Sequence, residues 1–196
     1  MKTIIVKYPA GNVQSVLFSL ERIGVEAIVT DSKKSIQNAE RIILPGVGEA
    51  NFAMKYLREK KLDILLSKLE QPVLGICLGM QLLCKYSEES NTTCMGIFDL
   101  FVKKFHSEDK NDKIPQIGWN TIYKLKGPLF ENIPDGSYQY FVHSYYAPLG
   151  KETVAETDYI IPYSSAIQKK LYAVQFHPEK SSYIGHKILE NFIRLL

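Results

Sequence analysis

Cysteine is scarce in this chain, with three in 196 residues. An odd and low count argues against a disulfide framework and fits a reducing compartment. No Cys-x-x-Cys pair occurs, and no cysteine–histidine cluster has zinc-site spacing, so neither a metal nor another cofactor is expected. Long apolar runs are missing too: nothing approaches the ~18 residues of a membrane span. Lys7 interrupts the first apolar stretch too early for a signal peptide, which makes a cytoplasmic location the expectation.

Charge of one sign is also lacking. The 24 basic and 21 acidic residues leave a formal charge of +3, and lysines cluster no further than short doublets such as 33–34, 103–104 and 169–170. Each doublet reads as solvated surface, so nucleic acid is not an expected partner. No Walker A sequence and no GxGxxG is present, hence no recognisable nucleotide or phosphate site. Repeats and low-complexity tracts are absent. What remains is an ordinary globular composition, 45% hydrophobic and 23% charged, in a length that fits one domain over residues 1–196.

The first half alternates strand-like and helix-like runs. Thr3–Val6 is a short β-branched run broken by Tyr8-Pro9-Ala10-Gly11. Val13, Val16, Leu17, Leu20 and Ile23 then recur at helical steps, with Asn12 placed to cap the helix and Gly24 to close it. Val25–Thr30, Arg41–Leu44 and Val73–Ile76 read as strands. Phe52–Leu69 reads as mostly helical, with a break near Lys60-Lys61. Such alternation predicts an α/β fold, a mostly parallel sheet flanked by helices. After about Asn91 the pattern shortens to extended pieces, among them Gln139–Val142 and Leu171–Phe176, with a turn at Pro134-Asp135-Gly136. A last helix is predicted from Ser182 to Leu195.

One stretch carries chemistry. In Gly75-Ile76-Cys77-Leu78-Gly79 a cysteine sits between glycines, after an apolar strand and before a helix, the form of a nucleophile elbow. A sharp turn there brings the chain close to itself two residues either side, and glycine avoids the collisions. The helix beginning at Leu78 aims its amides at the sulfur, which favours thiolate. The Leu78 amide is placed to hold a developing oxyanion. A buried cysteine at a strand end is the plainer alternative, and it fits Cys84 and Cys94, which have no such context.

A thiol nucleophile needs a base, and four histidines are available. His106 and His186 fall in polar surroundings that read as surface. His143, in YFVHSYY, and His177, in YAVQFHPEKS, each follow strand-like runs. His177 is the better base, because Glu179 two residues on can fix its tautomer and stabilise the imidazolium. The chain order is then Cys77, His177, Glu179. The Leu44-Pro45-Gly46-Val47-Gly48 loop follows the third strand, where ligands sit in parallel α/β sheets. It reads either as a plain turn or as a source of an amide for the oxyanion or substrate.

Taken together these segments resemble the class I (triad) glutamine amidotransferases. The likeness runs in order through AGN at 10–12, LPGVG at 44–48, PVLGICLGMQLL at 72–83, GWN at 118–120, YFVHSYYA at 140–147 and QFHPEKS at 175–181. It is nearest to the branch serving histidine biosynthesis. The resemblance implies the flavodoxin-like three-layer fold of the family. It implies that Cys77 attacks the side-chain amide of L-glutamine, with His177 as base and proton donor and Glu179 as its orienter. It further implies oxyanion amides at Val47 and Leu78, and glutamine contacts at Gly48, Gln81, Ser144 and Tyr145. His143 shares the motif without an assigned step. Asn12, Trp119, Tyr140 and Lys180 are implied to face a partner, a (β/α)8-barrel cyclase in a heterodimer. The family's D-Y-G-x-G-N near the N-terminus is replaced here by Lys7-Tyr8-Pro9-Ala10-Gly11-Asn12.

A partner is also required on chemical grounds. Ammonia released into neutral water becomes ammonium and is no longer nucleophilic, and this chain has no recognisable site for an acceptor. Coupling is expected through the Gly46-Val47-Gly48 peptide, which would turn an amide into the oxyanion hole when the partner holds its ligand. Three other readings stay open: a triad glutaminase serving pyridoxal phosphate or anthranilate synthesis, a non-catalytic regulatory subunit that keeps the fold, and a cysteine peptidase or γ-glutamyl hydrolase.

Overall fold

The computed structural model describes residues 2–9 and 12–195. Ala10 and Gly11, in the break predicted after the first strand, lie outside the described residues. The first half folds as β1 (Thr3–Val6), α1 (Val13–Arg22), β2 (Ala27–Thr30), α2 (Lys33–Gln37), β3 (Arg41–Leu44), α3 (Ala50–Glu59), α4 (Leu62–Ser67), β4 (Val73–Ile76) and α5 (Leu78–Leu83). The second half adds β5 (Tyr86–Ser87), β6 (Thr92–Thr93), β7 (Phe101–Lys104), β8 (Gln116–Ile122), β9 (Ser137–His143) and β10 (Tyr145–Tyr146). It ends with β11 (Thr153–Tyr159), β12 (Ile161–Gln168), β13 (Tyr172–Val174) and α6 (Ser182–Arg194).

Seven strands form the main sheet in the order β11-β12-β13-β4-β3-β1-β2. The run from β13 to β2 is parallel, and β12 and β11 continue it antiparallel. Every residue of β1, β3 and β4 is buried, as expected for strands covered on both faces. Side chains alternate between two cores. Ile4, Val6, Ile42, Leu44 and Val73 face helices α2 to α5. Ile5, Ile43, Leu74 and Ile76 face α1 and α6 and the apolar side of β8–β9. The sheet is therefore the middle of three layers, the mostly parallel α/β arrangement expected.

Local chemistry accounts for the element ends. Gly24, at φ +77°, closes α1 with its amide on the Glu21 carbonyl, while the Val25 amide reaches back to Leu20. This is the paired closure that favours a left-handed glycine. Asn12 stands at the helix start, but its side chain accepts from Ser15 Oγ at 2.8 Å and makes no bond to a backbone amide. The expected break near Lys60-Lys61 is real: Lys61 takes φ 54° between α3 and α4. The short α2 was not anticipated; Ser32 caps it by accepting from the Ser35 amide.

Candidate active site

Strand register brings the chemistry together. β3, β4 and β13 are parallel neighbours, with Leu44 opposite Gly75 and Val174 opposite Ile76. Their C-terminal ends therefore lie side by side. Three segments leave from that edge: the Pro45–Gly48 loop after β3, Cys77 directly after β4, and His177 shortly after β13. Residues far apart in sequence meet because each follows a buried strand of the same sheet.

Cys77 sits at φ 53°, ψ −108°, a conformation that costs a non-glycine residue on the order of 1–3 kcal/mol. Its amide donates to the Val174 carbonyl at 2.8 Å, which anchors the turn to β13. The flanking glycines make that turn possible. A Cβ on Gly79 would lie 1.9 Å from the Leu44 carbonyl oxygen, and one on Gly75 would lie 2.9 Å from the Gly79 carbonyl oxygen. The backbones of β3, β4 and α5 thus pack closer than any side chain permits.

His177 Nδ1 is 2.7 Å from Glu179 Oε1, and both side chains are buried. The His177 amide donates to the Tyr140 carbonyl at 2.9 Å, and Ser181 Oγ donates to the His177 carbonyl at 2.6 Å. The histidine is therefore fixed at backbone and ring alike. Burial lowers its proton affinity, but the Cys77 sulfur and then Glu179 raise it, and the net pKa is about 10 against an ordinary 6.5. An imidazolium beside a thiol is the charge state that supports a thiolate nucleophile. Nε2 is buried without another hydrogen-bond partner, so it is free to exchange a proton at the sulfur.

Neither of the two amides expected at the oxyanion is open to the cavity. The Leu78 amide donates to the Gly46 carbonyl at 3.3 Å. In a trans peptide the carbonyl and the following N–H point opposite ways, so the Val47 amide is turned from the site while Gly46 O fills it. Tyr8, two residues past β1, donates its hydroxyl to the Pro45 carbonyl and ties down the same loop.

A cavity of about 270 Å³ opens in front of the sulfur. Val47, Gly48, Cys77, Leu78, Gln81, Ser144 and Tyr145 line it, so every residue expected to bind glutamine reaches one space. Gln81 Nε2 donates to the Tyr145 carbonyl and to Gln175 Oε1, each at 3.0 Å. His143 also lines the cavity. Its Nδ1 is 2.8 Å from the Tyr145 carbonyl and so carries the proton, and its Nε2 lies 3.2 Å from Tyr163 Oη. Burial holds the His143 pKa down at about 4, which keeps the ring neutral.

Two residues of the site were not foreseen. Glu89 lines the cavity, held by the Ala50 amide at 2.8 Å, and burial raises its pKa. In sequence it lies in a Glu-Glu-Ser run that reads as surface. Gln175 is fully buried, with Nε2 3.6 Å from the Cys77 sulfur. A glutamine inside the apolar run YAVQF is the signal that marks it. Cys84 and Cys94 are buried away from the cavity lining, and burial pushes the Cys94 thiol up to about 12.

Of the residues expected at a partner surface, Trp119 and Tyr140 pair across the β8–β9 ribbon and Lys180 lies beside Tyr140. Trp119 is 53% exposed and meets Tyr140 edge-on, with ring centroids 6.0 Å apart. Lys180 Nζ lies 5.9 Å from the Tyr140 ring centre. The helix begun by Asn12 packs against the Pro178–Lys180 turn. Tyr140 is joined through its backbone to both His177 and Ser181, so this surface is one hydrogen bond from His177.

A family model described as glutamine amidotransferase class-I matches residues 5–195. The chain is 51% identical over 196 residues to the imidazole glycerol phosphate synthase subunit HisH of Bacteroides fragilis, covering 100% of both chains. It is 43% identical over 202 residues to the subunit of the same name from Vibrio parahaemolyticus, covering 99% of this chain and 98% of that one. Among solved structures it resembles PurLQS from Thermotoga maritima, with TM-score 0.73, 17% identity and coverage of 98% and 97% of the two chains. A glutamine amidotransferase of the same organism matches with TM-score 0.65, 18% identity and coverage of 98% and 82%. At such identities the structural likeness shows the fold alone. Among the described residues no helix is long and apolar enough to cross a membrane.

Proposed function

This chain belongs to the class I glutamine amidotransferase family, and on that premise we propose that Cys77, His177 and Glu179 are the working triad of the glutaminase subunit of an imidazole glycerol phosphate synthase. The observation that carries the reading is the strained Cys77 at the mouth of the cavity, with the His177–Glu179 pair on the neighbouring strand end. Full-length identity to the HisH subunits supports the pathway.

The sulfur attacks the side-chain amide carbon of glutamine, forming the C–S bond and an oxyanion. His177 gives its proton to the amide nitrogen as the C–N bond breaks, and ammonia leaves. Water then attacks the γ-glutamyl thioester with His177 as base, releasing glutamate and restoring the thiol. The Leu78 and Val47 amides stabilise the oxyanion once the Gly46–Val47 peptide turns over. Gly48, Gln81, Ser144 and Tyr145 hold the glutamine backbone, and the Glu89 carboxylate faces its α-ammonium.

The ammonia goes to a (β/α)8-barrel cyclase that covers the site. That subunit joins it to a phosphoribulosyl-formimino carboxamide ribotide, giving imidazole glycerol phosphate and aminoimidazole carboxamide ribotide. Trp119, Tyr140, Lys180 and Asn12 form the docking surface, and residues 1–196 act as one domain in the cytoplasm. The backbone link from Tyr140 to His177 gives the partner a short route to the triad.

Amide-labelled glutamine tests this directly. With the cyclase subunit, the ribotide and excess unlabelled ammonium, the label should appear in the imidazole product. Label diluted to the level of bulk ammonium would overturn direct transfer, and product formation with a different synthase alone would move the pathway.

A further inference from the structure

The Cys77 sulfur has two polar neighbours besides the histidine, and they favour opposite charge states. The Val142 carbonyl lies 3.9 Å away and can only accept, so it suits the protonated thiol. Gln175 Nε2 lies 3.6 Å away. Whether that atom is a donor depends on which way the carboxamide is turned, and the surroundings decide it. A backbone carbonyl has one role only, so the Gln81 group 3.0 Å from Tyr145 O must be the Gln81 amide nitrogen. That same nitrogen is 3.0 Å from the Gln175 carboxamide, which must present its oxygen there. The other end, an NH2, is left facing the sulfur. The Gln175 amide donates to the Ser165 carbonyl at 2.8 Å, and the side chain is fully buried, so neither backbone nor carboxamide has room to turn.

We infer that Gln175 is a positioning residue for the nucleophile: its carboxamide N–H, oriented by Gln81 and ultimately by the Tyr145 carbonyl, holds the Cys77 sulfur as thiolate. The inference rests on the reading of Cys77 as the nucleophile. It also gives Gln81 a second task, because the residue at the glutamine cavity sets the donor on the sulfur. A donor to the charged form of an acid favours that form. Removing it moves the thiolate to higher pH, whatever happens to glutamine binding.

The test is the pH profile of Cys77 alkylation by iodoacetamide, followed by peptide mass spectrometry, in the full chain and in Gln175→Met. Methionine keeps the length and loses the donor. The midpoint should move up by about one pH unit, equivalent to about tenfold slower alkylation below it. Glutaminase kcat in the complex with the cyclase should fall about as much at neutral pH, recover toward high pH, and leave KM little changed. An alkylation profile that matches the parent would overturn the inference, even if activity were lost. Should Gln175→Met not fold, Gln175→Leu is also uncharged and without a donor and is read in the same way, with an upward shift again expected. Cys77→Ala separates the two levels. Glutaminase surviving in Cys77→Ala would remove the underlying reading, whereas its loss beside an unshifted Gln175→Met profile would remove only this inference.

Discussion

The carbonyl of Gly46 accepts the Leu78 amide at 3.3 Å, so the spot where negative charge must develop is filled by an acceptor. Cys77, His177 and Glu179 are already assembled, whereas no amide is free to meet an oxyanion. Losing one oxyanion donor costs about 2.7–4 kcal/mol, or about 100- to 1,000-fold in rate. That is enough to keep the chain nearly idle by itself. Turning the one Gly46–Val47 peptide would open the spot without moving Cys77, His177 or Glu179.

Gly79 sets how closely α5 approaches β3. A methyl group there would sit 1.9 Å from the Leu44 carbonyl oxygen, and backbone cannot yield as a side chain can. Gly79→Ala should lower unfolding free energy by at least about 3 kcal/mol, at the upper end of overpacking costs. Urea unfolding of the two proteins checks it, and equal midpoints would mean the elbow tolerates more room than its geometry allows.

The proton affinity of His177 depends on its neighbour. Burial works to lower it, and Cys77 is the first of the groups that raise it. In Cys77→Ala the ring pKa should fall well below about 10. An NMR titration of the imidazole carbon-bound protons follows this, and an unchanged value would place the cause elsewhere.

His143 links stability to acid. Its folded pKa of about 4 lies below the ordinary 6.5, so the unfolded chain takes up the proton first. The contribution is complete above pH 6.5 and is lost as pH falls toward 4; over that window it amounts to about 3 kcal/mol. Denaturant unfolding at several pH values should show that loss, and His143→Gln should show a shallower one. Parallel slopes for the two proteins would contradict the assignment.

Glu89 faces the cavity as a carboxylate that can meet the α-ammonium of glutamine. Hydrogen bonds to charged groups are worth about 1.5–3 kcal/mol, so Glu89→Gln should raise KM for glutamine by about 10- to 100-fold. The parent should discriminate strongly against glutaramate, which lacks the ammonium, and Glu89→Gln should discriminate little. Undiminished discrimination would send the ammonium to another group.

What could be read from the sequence follows from how local each signal is. Arg41–Leu44 and Val73–Ile76 match β3 and β4 end to end, because a short apolar run buried on both faces has no other use. The elbow and the His-Pro-Glu turn were legible for the same reason: nucleophile, glycines and orienter are within a few residues of one another. Helix α2 was not, since Lys33–Gln37 buries only Ile36 and offers almost no periodicity. The β8–β9 ribbon was seen only as Gln139–Val142; its outer side carries exposed Ile117, Trp119 and Tyr138, which blurs the alternation. Glu89 enters the site by bonding to Ala50, 39 residues earlier. The orientation of the Gly46 carbonyl is a property of one peptide plane and leaves no mark in the residue pattern.

The central claim is a Cys77 glutaminase that its partner switches on, and glutamate release measures it most directly. Rates are compared for this chain alone, for the chain with the cyclase subunit and its ribotide ligand, and for Cys77→Ala in that complex. The account predicts near silence alone, a rise of about 100-fold or more in the liganded complex, and a loss of at least about 1,000-fold in Cys77→Ala. Equal rates with and without the liganded partner, or undiminished release by Cys77→Ala, would contradict it.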